Sequence, residues 1–234
     1  MSEPQNSDAD LESFSGRAPL FPLTNVVLFP HAVLPLHVFE PRYRQLTADA
    51  LAGDGCIAMA LLRSAADHDV DDLPAIHDVV GLGRIIAHEK LPDGRYYLAL
   101  RGLTRARVTR EVPSDRLYRI GRLELCPDRA VNLSTSTQDQ LCGELTARTQ
   151  ALLPKLDLDR VFQQALALPL PLAALCDAIS AALPLPAPVL QTLQDELDVA
   201  SRCQKLIKLL GHLQGDEPQP PPVRLAFPPT FSPN

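Results

Sequence analysis

Near residue 130 the apolar residues of this chain change their spacing, and that change limits what each part can fold into. From Pro19 to about Cys126 the hydrophobic runs are short and bounded by Pro, Gly or charge, whereas from Asn132 onward Leu, Ile and Val recur at spacings of three and four. Alternation puts successive side chains on opposite faces of a strand, and recurrence near a period of about 3.6 gathers them on one face of a helix. The chain therefore reads as α+β, a small barrel or pair of packed sheets followed by a helical bundle. Its 23 prolines against 11 glycines sharpen the punctuation, because each proline fixes φ and removes a backbone donor.

Strands are expected over Val26–Phe29 and Val33–Val38, and over Cys56–Leu62, whose continuous apolar run suits burial on both faces. Val79–His88 and Tyr96–Leu100 flank Leu91-Pro92-Asp93-Gly94, where Asp-Gly supplies the positive φ of a tight hairpin. Thr104–Val112 alternates, with Thr104, Ala106 and Val108 on one face and Arg105, Arg107 and Thr109 facing outward; Tyr118–Leu125 behaves similarly. One helix interrupts this part: Pro41 opens it, Tyr43, Leu46, Ala50 and Leu51 follow at helical spacing, and Gly53 ends it.

In the later part, Leu141, Leu145 and Leu152 form one stripe ended by Pro154, and Asp159 is placed to cap a helix carrying Val161, Phe162, Ala165 and Leu166. Pro171 opens a helix with Leu172, Leu175, Ile179 and Leu183, and Asp198 caps one with Cys203, Leu206, Ile207 and Leu210 before Gly211. These readings divide the chain into a disordered tail over 1–17, a β subdomain over 18–130, a helical subdomain over 131–214 and a Pro-rich tail over 215–234.

Chemistry is hard to find in this sequence. Gly81-Leu82-Gly83 lacks the later Gly and the Lys of a phosphate loop and reads as a bulge or a close strand approach. His88-Glu89 has no second His at zincin spacing. Asp67-His68-Asp69-Val70-Asp71-Asp72 has the alternating acids of a calcium loop, but Asp72 stands where Gly is required, so a solvated acidic loop is expected. No Ser lies in a nucleophile elbow. The expectation is no catalytic residue, no metal and no cofactor.

Five scattered cysteines with no Cys-x-x-Cys spacing suit reduced thiols. Neither a signal peptide nor a stretch of about 20 apolar residues is present. A cytoplasmic location is expected. The formal net charge of −6 argues against a dedicated nucleic-acid binder.

The residues from Pro19 to Leu46 read Pro-Leu-Phe-Pro-Leu-Thr-Asn-Val-Val-Leu-Phe-Pro-His-Ala-Val-Leu-Pro-Leu-His-Val-Phe-Glu-Pro-Arg-Tyr-Arg-Gln-Leu. This stretch resembles the opening of the Lon protease N-terminal domain family. Val80-Gly81, Leu91-Pro92-Asp93-Gly94, the run Arg101-Gly102-Leu103-Thr104-Arg105-Ala106-Arg107 and Leu175-Cys176-Asp177-Ala178-Ile179-Ser180 agree with it, so the likeness covers about residues 18 to 213. The resemblance implies a PUA-like β pseudo-barrel with one helix, followed by a C-terminal helical bundle.

It also implies a non-catalytic module that recognises unfolded or damaged polypeptides, an adaptor in protein quality control with a protease in trans as its partner and no membrane contact. The ATPase and Ser–Lys peptidase of full-length Lon have no counterpart in the matching region. The peptide-binding residues expected on this reading are Phe29, His31, Leu36, His37, Val38 and Phe39, an apolar and Pro-rich edge. Glu40 is expected to interact with the N-terminus of the helix that follows.

The competing reading is an RNA-binding PUA-like module using the basic region Arg101–Arg122, with Arg105, Arg107, Arg119 and Arg122 as its anion-binding residues. No aromatic pair alternates with these arginines to stack bases, which weakens the case for RNA.

Overall fold

A computed structural model of the chain describes residues 11, 14–63, 73–129, 133–153 and 169–215. In chain order its elements are β1 (Arg17–Leu23), β2 (Val33–Val38), α1 (Pro41–Ala52), β3 (Cys56–Leu61), β4 (Val79–Lys90), β5 (Tyr96–Val112) and β6 (Ile120–Cys126), then α2 (Thr135–Leu152), α3 (Leu172–Ala182), α4 (Ala187–Gln194) and α5 (Val199–Gln214). The architecture is α+β, as the change of period predicts. The expected helix over Asp159–Leu166, the acidic run Asp67–Asp72 and most of both tails lie outside the described residues, although Arg17 already belongs to β1. Among the described residues no helix is long and apolar enough to cross a membrane.

Strand β5 organises the barrel. Its 17 residues pair along one edge with β4, and along the other first with β2 (Tyr96–Arg101) and then with β6 (Arg105–Val112). Continuing through β3 and β1, which is parallel to β3, the pairings run β5–β4–β3–β1–β6 and return to β5. Such a closed circuit removes sheet edges. Strand β2 stands outside the circuit, hydrogen-bonded to β5 alone among the described strands. Every residue of β3 is buried, as its unbroken apolar run predicts. The β4–β5 hairpin turns where Asp-Gly is placed: Gly94 has φ +83° and donates its N–H to the Leu91 carbonyl at 2.9 Å.

Val26–Phe29 is not a strand. The strand of this region is β1, and Val26–Phe29 lies in the connection to β2, where it crosses the seam between barrel and bundle. Leu28 packs into the barrel core and Phe29 into the bundle core. Glycines make the crossing possible. A Cβ on Gly81 would lie 2.1 Å from the Leu28 carbonyl oxygen, and one on Gly102 2.0 Å from that of Phe29. The Leu28 carbonyl accepts a hydrogen bond from Gln194 Nε2 at 3.1 Å, so the segment is satisfied without joining a ladder.

The outward direction expected for Arg105 holds, since its neighbour Ala106 is in the barrel core, but the solvent exposure does not. The helical part covers this end of β5 and leaves Arg105 only 1% exposed. Its guanidinium is bidentate to Asp177 of α3, at 2.6 and 3.0 Å, and its Nε donates to the Gln194 carbonyl of α4 at 3.1 Å. Arg202 of α5, 0% exposed, donates to Asp128 at 2.7 Å and has its Nε 3.2 Å from Asp177. Burial alone would lower the pKa of Arg202, but Asp177 and Asp128 outweigh it and hold the guanidinium protonated. Asp128 also meets Arg105 at 3.3 Å, closing a four-residue network across the seam.

Helix α4 is absent from the sequence reading, because Pro184, Pro186 and Pro188 look like breakers. Proline is tolerated in a first helical turn, where no intrahelical bond is lost. The helix then supplies Gln191 and Gln194 to the seam; Gln191 Nε2 donates to the Val79 carbonyl at 2.9 Å. Helix α2 is capped by Ser134, which accepts from the Thr137 N–H at 3.2 Å. Helix α5 is capped as expected by Asp198, accepting from the Ser201 N–H at 2.8 Å, and runs past Gly211 to end at left-handed Gly215. Leu145, Leu152, Ile179, Leu193, Leu206 and Leu210 fill the bundle core, each contributing about 1.5–3 kcal/mol by burial.

Glu40 holds the N-cap position of α1, but its side chain makes no capping hydrogen bond. Its carboxylate instead accepts from Arg42 Nε at 3.0 Å, and Pro41 at the first turn has no N–H to offer it.

Two substitutions test the seam. Asp177→Ala leaves two arginines buried without their shared carboxylate, and urea unfolding should show a loss of about 3–5 kcal/mol. Gly102→Ala drives a Cβ into the Phe29 carbonyl and should cost about 2 kcal/mol or more in the same measurement.

Candidate functional site

The strand outside the barrel circuit carries the surface best suited to a ligand. Pairing between β2, β5 and β4 aligns Pro35, Ala99 and Ala87 in one row and His37, Tyr97 and Glu89 in the next. Side chains in such rows share a face. These six residues line a trough of about 440 Å³, floored by small side chains and walled by rings. The His37 ring stacks on Tyr97 with centroids 4.7 Å apart, and Phe39 lies 5.8 Å from His37. Tyr97 is 50% exposed and Val33, at the start of β2, 54%.

The far edge of β2 pairs with no described strand, so alternate backbone N–H and C=O groups face outward beside the trough. Pro35 fits an edge strand, where a missing donor breaks no central ladder. A bulge in β4 between Ile85 and Ala87 turns Ile86 outward, 46% exposed. Such an edge can pair with an extended chain while the adjoining apolar face receives its side chains.

The structure divides the residues singled out from sequence. His37 and Phe39 come together on the outer face. Leu36 is partly buried against the barrel core and also contributes to the lining of the trough. Phe29 and Val38 cannot meet a ligand: they are 0% and 1% exposed, one in the bundle core and the other in the barrel core. His31 is exposed at a corner with φ +65°, donating its N–H to the Gly102 carbonyl at 2.9 Å, and does not line the trough. Tyr97, Ala87 and Ala99 were not singled out. The alternation of Tyr97 with inward Tyr96 and Leu98 is the signal that marks it.

The basic residues are divided too. Arg105 belongs to the seam. Arg119 donates to Glu111 and, at 2.7 Å, to the Pro74 carbonyl. Arg107 and Arg122 are exposed.

A second hollow, of about 510 Å³, lies between the start of α1, the end of β1 and the β5–β6 turn. Its charged groups are matched to one another: Arg42 with Glu40 at 2.8 Å, Arg116 with Asp49 at 3.1 Å, and Arg119 with Glu111. Tyr118 donates to Asp49 at 2.8 Å, and burial followed by this bond pushes its hydroxyl pKa up to about 12.

Cys56 and Cys176 are held as thiols. Burial raises Cys56 to about 11, and a hydrogen bond with Cys203 together with burial raises Cys176. Nucleophilic cysteines need the opposite shift. Among the described residues no group of three or more His, Cys, Asp or Glu is placed to hold a metal ion.

Comparison with known proteins agrees with this architecture. The family model described as ATP-dependent protease La (LON) substrate-binding domain matches residues 17–212. The Lon protease of Azorhizobium caulinodans is 33% identical over 110 residues, covering 47% of this chain and 13% of that protein. Lon protease 2 of Myxococcus xanthus is 27% identical over 199 residues, covering 82% of this chain and 23% of that protein. The chain thus spans less than a quarter of the length of these two relatives.

The crystal structure of a Lon N-terminal domain protein from Xanthomonas campestris superposes with a TM-score of 0.57 at 27% identity, over 82% of this chain and 97% of that one. The N-terminal domain of the Mycobacterium avium complex Lon protease shares the fold, with a TM-score of 0.64 over 86% of this chain and 98% of that one, at 17% identity. A strand circuit closed on β5, a helical part locked to it and a family match over most of its length lead to one assignment: this chain belongs to the LON substrate-binding domain family.

Proposed function

We propose that this protein is a non-catalytic substrate-recognition module that binds unfolded or exposed polypeptide segments along β2 and presents them to a protease acting in trans. The observation that carries the reading is the edge of β2 that pairs with no described strand, beside the His37–Tyr97 face. An unfolded segment offers the two things this surface can pair with, unpaired backbone groups and apolar side chains. Main-chain pairing along the edge supplies affinity with little demand on sequence, and the trough adds a preference for apolar or aromatic residues. Support comes from the substrate-binding family match and from thiols whose pKa values are raised instead of lowered. Five free cysteines suit a reducing compartment, and a cytoplasmic setting is part of the proposal.

The test is binding of a fluorescein-labelled, permanently unfolded protein such as reduced and carboxymethylated casein, followed by anisotropy. Saturable binding is expected, and the double substitution His37→Ser with Tyr97→Ser should weaken it by about tenfold, the size expected for losing one stacked aromatic anchor. The unfolding midpoint should stay close to that of the parent protein, because both side chains are exposed. Equal binding by parent and variant would remove β2 as the recognition surface.

A further inference from the structure

The sheet carries an arrangement that its own stability does not explain. Arg17 of β1 is the register partner of Arg122 of β6, which is the partner of Arg110 of β5, so three arginines stand in one row across three adjacent strands. In the next row Arg107 faces Glu124. All four arginines are exposed. None of their guanidinium groups makes an ion pair or hydrogen bond among the described residues, whereas Arg42, Arg63, Arg95, Arg116, Arg148 and Lys205 each have a carboxylate partner.

A local fold feature creates the row. A bulge between Val108 and Arg110 inserts Thr109 and brings Arg110 opposite Arg122, and the Thr109 hydroxyl donates to the Arg122 carbonyl at 3.1 Å. Like charges directly opposite one another disfavour the sheet. The chain as a whole carries a net charge of −6, so surplus base does not account for the concentration.

We propose that the outer face of β1, β6 and the C-terminal part of β5 is a docking surface for an acidic polypeptide segment in extended conformation, with Arg17, Arg122 and Arg110 as its primary contacts and Arg107 beside them. Guanidinium forks take carboxylates in bidentate pairs. Neighbouring strands lie about 4.8 Å apart, so the row spans about 10 Å, and same-face side chains of an extended chain repeat every 6.8 Å or so. Two carboxylates of a chain laid across the strands therefore fall between three guanidinium groups. Nucleic acid fits less well. Single-strand binding relies on aromatic platforms, and the exposed rings Phe39 and Tyr97 belong to the β2 side. Glu124 within the patch and the acidic net charge also oppose a dense run of phosphates. This surface shares only β5 with the β2 trough, at the other end of the strand, so the two proposals fail separately.

The experiment uses the full chain and three fluorescein-labelled probes: a short peptide of alternating Glu and Ser, the matching Lys and Ser peptide, and an oligouridylate of equal length. At low salt the Glu–Ser peptide should bind saturably and the Lys–Ser peptide should not. Added salt should weaken the binding. Arg122→Glu should weaken Glu–Ser binding by about tenfold or more and at the same time raise the thermal unfolding midpoint, because it converts two repulsions in the row into two attractions. A purely structural arginine would give the opposite thermal shift. Arg17→Glu, at the end of the row, should reproduce the binding loss and serves as the second variant. Tyr97→Ser should leave Glu–Ser binding unchanged. The proposal is overturned if Arg122→Glu and Arg17→Glu bind the Glu–Ser peptide as the parent does, if Tyr97→Ser abolishes that binding, or if oligouridylate binds more tightly than the peptide and loses its affinity in Arg122→Glu.

Discussion

The bidentate pairing of Arg105 with Asp177 joins the long central strand of the barrel to the third helix. Around it Arg202 and Asp128 complete a set of two cations and two anions, shielded from water except at Asp128. Placing charges in such a seam costs desolvation energy that an apolar seam would not incur. What it supplies in exchange is direction. A guanidinium fork meets a carboxylate in one geometry, so the helical part can settle on the barrel in one orientation, while leucines alone would tolerate several.

That orientation determines what the rest of the molecule can expose. The connection from β1 to β2 is trapped beneath the seam, with its carbonyls against Gly81 and Gly102 and its two large apolar residues sent into different cores. Strand β2 therefore emerges beside β5 with no described strand paired to its other side. The bundle buries Arg105 of β5 and leaves Arg107 exposed, so one end of the strand is structural and the other carries exposed base. Two faces of the barrel thus remain open, one apolar and aromatic, the other rich in arginine, at opposite ends of the same strand.

Much of this is legible in the sequence. The change of period near residue 130 separates strands from helices, Asp93-Gly94 marks the hairpin, the continuous apolar run of Cys56–Leu62 marks the central buried strand, and Asp198 marks a helix start. Local rules suffice there because each feature depends on neighbours in sequence. His37 and Phe39 were legible as candidates on the same ground, since they lie on a strand with an apolar, Pro-marked pattern. Val26–Phe29 misled because branched and aromatic residues fit a buried connection as well as a strand, and α4 was hidden by prolines that a first helical turn accepts.

Sequence by itself thus determined the class of the fold, the order of its elements and the family resemblance, all of which rest on spacing and short-range backbone chemistry. Tertiary structure alone decided which outward-facing side chains meet water. Arg105 and Arg107 follow the same alternation on the same strand, yet one is buried against Asp177 and the other is exposed, because only one lies under the docked helices. The arginine row is likewise invisible in one dimension: Arg17, Arg110 and Arg122 become neighbours through strand register and a single inserted residue, and register is a property of the closed sheet, not of any segment within it.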